Sequence, residues 1–165
     1  IHVKAPLMFM NAVLPDMRAA RRGRIIAVAS IGGKFVSPML SAYSVGKAAQ
    51  IRLVEHVAQE TAEEGIAAFA IEPGTVATDL ARGTIASEDA RRWAPGAVDY
   101  LSQVARDSDV EAGLARCARM CADLASGDHD RLSGLFLLPQ DDLAAASRDE
   151  IANRTAFALP DLEAT

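Results

Sequence analysis

Two short apolar runs constrain this chain more than anything else in it: RIIAVA at 24–29 and IAAFAIE at 66–72. Neither alternates polar with apolar residues, so both faces of each segment must be covered. Ile25, Ile26 and Val28 are β-branched, which favours strand over helix at this length. Buried strands of this kind belong to a parallel sheet with helices on both sides. The chain between them, Ser41 to Glu64, carries Ala48, Ile51, Val54, Ala58 and Ala62 at helical spacing. It is therefore expected to be a long helix, with Ser41 as its N-cap and Gly65 as its stop. The fold class is α/β.

The remaining segments fit the same plan. Residues Ile1 to Ala20 place Val3, Leu7, Met10, Leu14 and Met17 on one helical stripe. Pro6 is tolerable near the start, Pro15 should bend or tighten the last turn, and Gly23 should end the turn beyond it. Asp109 to Ser126 reads as a helix capped by Asp109, with Leu114, Cys117, Ala118 and Cys121 inward. Residues 133–138 read as a last strand. Residues 79–108 are polar and irregular, with Trp93, Pro95, Gly96 and Tyr100. Trp93 and Tyr100 would contact a substrate or anchor the segment, and the sequence does not choose. Asp142 is placed to cap a short helix, and AFALP at 156–160 is a short strand or an extended tail. No internal repeat is present.

Composition narrows the function. The chain has 165 residues, half of them apolar, enough for one globular domain with a real core. Its net charge of −5 and pI near 5.2 argue against a nucleic-acid surface or an anionic-membrane anchor. The cluster Arg18, Arg21, Arg22 and Arg24 is expected to be a solvated helix end. No apolar run approaches the roughly 18 residues needed to span a bilayer, and no signal peptide is expected. Cys117 and Cys121 lack neighbouring His partners, so no metal site is expected. They read as buried thiols of a reducing, cytoplasmic compartment. The chain opens on Ile1 rather than Met, so an incomplete chain or a fragment is expected.

The chemistry is concentrated between Ser30 and Lys47. Ser30 follows the first apolar run, at the carboxyl end of a strand, where ligands bind in open α/β sheets. Gly32 and Gly33 let the chain turn away. Tyr43 and Lys47 stand i, i+4 on the helix and so project from one face. A free phenol has a pKa of about 10 and is a poor acid or base at neutral pH. An ammonium about 4 Å away is worth roughly 4 kcal/mol at an effective dielectric of 20. That is enough to tune a phenol for proton exchange with an alcohol or alkoxide. Ser30 could hold the reacting oxygen. Phe35, Val36 and Met39 on the intervening loop would line a substrate pocket or simply pack. His56 has no visible partner and reads as a surface or interface residue.

From Gly23 to Leu80 the sequence resembles the second half of a short-chain dehydrogenase/reductase. Ser30, Tyr43 and Lys47 match that family's Ser and Tyr-x-x-x-Lys. Pro73, Gly74 and Thr78 match its Pro-Gly-x-x-x-Thr loop, 26 residues beyond Lys47. The resemblance implies a doubly wound, Rossmann-like parallel sheet and an NAD(P)(H)-dependent oxidoreductase interconverting an alcohol and a ketone or aldehyde. It implies Tyr43 as general acid/base, with Lys47 tuning Tyr43 and holding the nicotinamide ribose. It implies Ser30 orienting the substrate, and Pro73, Gly74, Val76 and Thr78 holding the nicotinamide. It also implies a substrate lid at 79–108 and a homodimer or homotetramer through the long helix. The family's catalytic Asn falls on His2, a departure that puts a titratable ring in the proton-relay position. Asn11 is read as an ordinary helix-surface residue.

The family's Gly-rich turn after its first strand and its Asn-Asn-Ala-Gly are missing from this sequence. The sheet is therefore expected to be incomplete, lacking its amino-terminal strands, with an apolar edge exposed. NAD and NADP cannot be distinguished, and the 165 residues alone are expected to be inactive. The alternative reading is a truncated, non-catalytic oligomerisation or binding module.

Overall fold

The computed structural model describes residues 1–155. In it α1 (Lys4–Ala20) leads into β1 (Gly23–Val28), and a 3-10 turn (Ile31–Gly33) precedes α2 (Ser41–Glu60). After β2 (Ile66–Ile71) come α3 (Asp79–Ala86), α4 (Glu88–Trp93), α5 (Pro95–Asp107) and α6 (Val110–Ser126). A second 3-10 turn (Asp130–Leu132), β3 (Phe136–Leu137) and α7 (Arg148–Thr155) complete the described chain.

The sheet is wholly parallel, in the order β1-β2-β3. β1 and β2 run in register from Gly23 opposite Ile66 to Val28 opposite Ile71. Every residue of the central strand β2 is buried. Successive side chains of a strand point to opposite faces, and the core divides accordingly. Ile66, Ala68 and Ala70 join Met10 and Leu14 of α1, and Ile51, Val54, Val57 and Ala58 of α2. Ala67, Phe69 and Ile71 join Met120 and Leu124 of α6, with Ile151 of α7. Phe136 fills the first face and Phe69 the second. Full burial of such a side chain contributes about 1.5–3 kcal/mol. The sheet is thus wound on both faces, as the unbroken apolar runs require. β1 is an edge strand, and Val28 near its end is 48% exposed.

Several local expectations are corrected. Residues 79–108 are not irregular: they form α3, α4 and α5. Ser87 caps α4 by accepting the Ala90 N–H at 3.2 Å, and Pro95 opens α5 at a position where its missing N–H costs nothing. Ala81 is the buried residue of the three helices, which pack on one another more than on the core. Leu40, not Ser41, is the cap of α2, and it offers no side-chain bond. That helix ends at Glu60, where the buried Thr61 donates its hydroxyl to the Val57 carbonyl at 2.7 Å. The left-handed residue closing α1 is Arg21, with φ 48°, rather than a glycine. Gly23 already belongs to β1.

Asp109 does cap α6, accepting the Ala112 N–H at 3.0 Å. Its buried face, however, is Gly113, Met120 and Leu124. Leu114 is 52% exposed, Ala118 is exposed, and Cys117 and Cys121 are half-buried rather than buried. Burial pushes the Cys121 thiol upward, with Cys117 adding to the shift. The last strand spans two residues, because only Phe136 and Leu137 lie in register with Ala70 and Ile71. Asp142 caps a turn, accepting the N–H groups of Ala144 and Ala145. The arginine cluster is not simply solvated. Arg18 pairs with Glu64 at 2.7 Å, and the half-buried Arg24 pairs with Asp130. AFALP lies outside the described residues.

Candidate active site

The carboxyl ends of β1 and β2 carry the residues singled out from the sequence. The parallel ladder continues one residue beyond β1, where Ala29 N–H donates to the Ile71 carbonyl at 2.9 Å. Ser30 follows in extended conformation and starts the 3-10 turn. Its Oγ accepts the Gly32 N–H at 3.1 Å and its carbonyl accepts the Gly33 N–H at 2.9 Å. The Ser30 hydroxyl proton is left to point elsewhere.

Tyr43 and Lys47 lie one turn apart on α2. The Lys47 Nζ is 5.9 Å from the centre of the Tyr43 ring and donates to the Val28 carbonyl at 2.9 Å. The ammonium therefore spans from α2 to the end of β1. A methyl group built on Gly32 would lie 3.1 Å from Tyr43 Cε1 and 3.5 Å from Ser30 Oγ. The serine hydroxyl and the tyrosine ring thus flank the same backbone atom. Tyr43 is 37% exposed, so the ring is reachable from solvent. Gly33 brings the turn against the backbone of α2: a methyl group there would lie 2.7 Å from Ala48 N and 2.8 Å from Lys47 C. Ser30, Tyr43 and Lys47 share one corner of the molecule.

His2 belongs to the same corner. Its ring meets that of Tyr43 edge-on, with centres 5.7 Å apart and planes at 87°. It rests on Gly46, where a methyl group would come within 2.8 Å of His2 Cβ. Burial lowers the His2 pKa below its usual 6.5, and the Lys47 charge lowers it further. Burial also lowers the Lys47 pKa from 10.5, and the Glu72 carboxylate opposes that shift.

The second turn leaves β2 through Pro73 and Gly74. Val76 packs onto Gly113 of α6, where a methyl group would meet Val76 Cγ1 at 2.3 Å. Thr78 N–H donates to the Val76 carbonyl at 2.8 Å, and Thr78 precedes α3 without spending its hydroxyl on the cap. The Tyr100 hydroxyl donates to Thr75 Oγ1 at 3.1 Å, so Tyr100 ties α5 to this turn. Trp93 is 54% exposed, with the Arg92 guanidinium 4.7 Å from its ring. Phe35, Val36 and Met39 are exposed and do not pack into the core. His56 is exposed on α2.

Sequence reasoning missed Glu72, which is 9% exposed. Its carboxylate accepts the Ile31 N–H with one oxygen and the Gly74 N–H, at 3.1 Å, with the other. The available signal was an acidic residue closing a fully apolar strand. Among the described residues no group of three or more His, Cys, Asp or Glu is placed to hold a metal. No described helix is long and apolar enough to cross a membrane.

A parallel sheet wound on both faces, with a serine at one strand tip and a Tyr-Lys turn beside it, defines a class. The short chain dehydrogenase family model matches residues 1–89, more than half of the sequence, and the chain belongs to that family. It is 37% identical over 157 residues to the short chain dehydrogenase mpl6 of Monascus purpureus, covering 92% of this chain and 46% of that protein. It is 40% identical over 67 residues to the oxidoreductase UcpA of Escherichia coli (strain K12), covering 40% of this chain and 26% of the relative. The chain therefore spans less than half the length of these curated relatives. Among solved structures, the fold resembles a gluconate 5-dehydrogenase from Burkholderia cenocepacia J2315 in complex with NADP and tartrate. The TM-score is 0.67 at 22% identity, covering 89% of this chain and 55% of that one. A 3-oxoacyl-[acyl-carrier protein] reductase from Brucella melitensis ATCC 23457 gives a TM-score of 0.64 at 24% identity, covering 84% and 48%.

Proposed function

We propose that this chain carries the proton-transfer centre of a nicotinamide-dependent oxidoreductase that interconverts an alcohol and a ketone or aldehyde. The observation that carries the reading is the convergence of Ser30, Tyr43 and Lys47 at one corner of the sheet, with Tyr43 reachable from solvent. Tyr43 is the general acid/base: its phenol gives a proton to the substrate oxygen in one direction and takes it back in the other. Ser30 Oγ already accepts from Gly32, so its own proton is free to fix the substrate oxygen beside the ring. Lys47 spends one N–H on the Val28 carbonyl and keeps two more donors and its charge for the site. We read His2, whose ring lies edge-on to that of Tyr43, as the group that passes the proton onward.

The donor set suits a nicotinamide ribose and carboxamide. Lys47 supplies charged donors, and Thr78 supplies a hydroxyl left out of its helix cap. On this reading Tyr43 and Lys47 hold the ribose, and the loop opened by Pro73 and Gly74 holds the nicotinamide, its main chain near Val76 meeting the carboxamide and Thr78 adding a hydrogen bond. The cofactor, when bound, supplies or accepts the hydride. Support for NAD or NADP comes from relatives: the gluconate 5-dehydrogenase was solved with NADP, and a 7α-hydroxysteroid dehydrogenase at TM-score 0.61 was solved with NADH. We assign the helices α3 to α5 as the substrate lid, because their attachment to the core is slight. We keep the homodimer or homotetramer through α2, on which Val45 is 68% exposed.

The test is Tyr43→Phe in the full-length protein, screened against a panel of ketones and alcohols with NADH and NADPH. Turnover should fall by about 10² or more, the range of general acid/base catalysis, while cofactor binding stays near normal. Unaltered turnover in that variant removes the mechanism.

A further inference from the structure

Glu72 belongs to neither motif, yet it touches both of the turns that carry them. It stands one residue beyond β2, where its own N–H donates to the Leu137 carbonyl at 2.8 Å. Its backbone is therefore held by the sheet rather than by a loop. From that fixed point one carboxylate oxygen takes the N–H of Ile31, the residue after Ser30. The other takes the N–H of Gly74, inside the Pro-Gly turn. The three successive N–H groups of the first turn are thereby all satisfied: Ile31 by Glu72, Gly32 by Ser30 Oγ and Gly33 by the Ser30 carbonyl. Lys47 lies within the electrostatic reach of the same carboxylate.

We propose that Glu72 is a positioning residue whose single carboxylate sets the spacing between the Ser30 turn and the Pro73–Gly74 turn. The inference rests on the reading of these turns as the proton-transfer corner and the nicotinamide loop. A carboxylate suits the task because both of its oxygens accept and neither must donate. An amide of the same length offers one acceptor and turns an NH₂ toward the other N–H. Glu72 does not reach the reacting atoms. It acts by holding two loops, on adjacent strands, at one distance.

The experiment compares Glu72→Gln with Tyr43→Phe in the full-length protein, using NADH or NADPH and the best ketone of a panel. Glu72→Gln should lower kcat and raise the cofactor KM together, reducing kcat/KM by roughly tenfold to hundredfold, the range for a lost charge-assisted hydrogen bond. Tyr43→Phe should lower kcat with little change in cofactor KM. A merely structural role would lower the melting temperature and leave both constants of the folded enzyme unchanged. Wild-type constants in Glu72→Gln, beside an inactive Tyr43→Phe, overturn the proposal and leave the oxidoreductase reading intact. An active Tyr43→Phe overturns the oxidoreductase reading instead. Amide hydrogen exchange in the unmutated protein tests the clamp without any variant and so covers a Glu72→Gln that does not fold. Slow exchange at both Ile31 and Gly74 supports it, and random-coil exchange at either overturns it.

Discussion

Gly33 is the point where the site is most exposed to a small insult. Replacing it by alanine adds one methyl group at 2.7 Å from Ala48 N, 2.8 Å from Lys47 C and 3.1 Å from Lys47 O. The shortest of these is about 0.7 Å inside the 3.4 Å at which ordinary van der Waals contact begins. All three atoms are backbone of a helix, so no side chain can rotate out of the way. Either the Ser30 turn retreats from α2 or the helix bends away. Overpacking of this kind costs about 1–3 kcal/mol, and an immovable neighbour puts Gly33→Ala near the top of that range. For a domain of this size, about 3 kcal/mol lowers the melting temperature by roughly 6–12 °C. The catalytic effect should be larger, because the displaced groups are Ser30 on one side and Lys47 on the other. A misplacement of about 1 Å can cost roughly 10² in rate. Differential scanning calorimetry and steady-state kinetics below the melting point separate the two effects. Gly83→Ala is the control: a methyl group there meets nothing within 4 Å inside α3. It should raise stability by up to about 1 kcal/mol through helix propensity. A Gly33→Ala protein with wild-type melting temperature and turnover would refute the close approach on which this reasoning depends.

Gly113→Ala should push Val76 away from α6, because the new methyl group would fall 2.3 Å from Val76 Cγ1. The expected result is a cofactor KM raised several-fold with kcat less affected, read by steady-state kinetics; an unchanged KM would separate Val76 from the cofactor loop. Lys47 gives a pH test with a definite sign. Its pKa is lowered from 10.5 in the folded protein, chiefly by burial. The unfolded chain therefore binds that proton more tightly, and the charged lysine costs stability at neutral pH. The cost is relieved as pH rises from the lowered folded value toward 10.5. Lys47→Met removes the titration, so wild type should gain on the variant between about pH 7.5 and about pH 10. Urea midpoints at the two values measure the difference, and a gap that does not move with pH would contradict the burial of the ammonium.

What could be read from the sequence was whatever depends on near neighbours or on continuous burial. The runs at 24–29 and 66–72 announced their strands because a strand covered on both faces has no room for polar alternation. Tyr43 and Lys47 announced their shared face because one helical turn relates them. Residues 79–108 failed on the same principle. Val98, Leu101 and Val104 do recur at helical spacing in α5, but α3 and α4 are short, and Ala81 is the buried residue of the three helices. The starts were written locally, at Ser87 and Pro95. The inward face of α6 was misassigned because Leu114 is large and apolar, whereas the position that turns inward is Gly113, made small to admit Val76. That requirement comes from a residue in another segment and leaves no periodic trace.

Glu72 shows the limit more sharply. An acid after an apolar run reads locally as the polar end of a strand. Its contacts with Ile31 and Gly74 exist because β1 and β2 run parallel and in register, Val28 opposite Ile71. Parallel register puts the ends of both strands at one edge, so the turns that follow them are neighbours whatever their sequences. A side chain held by the sheet at that edge can then reach both. The burial that makes the two runs legible as strands is also what delivers Ser30 and the Pro-Gly turn to one place. The motifs name the chemistry. The register supplies the neighbours that make it a site, and a chain of the same motifs slipped by one residue would turn Glu72 to the other face of the sheet.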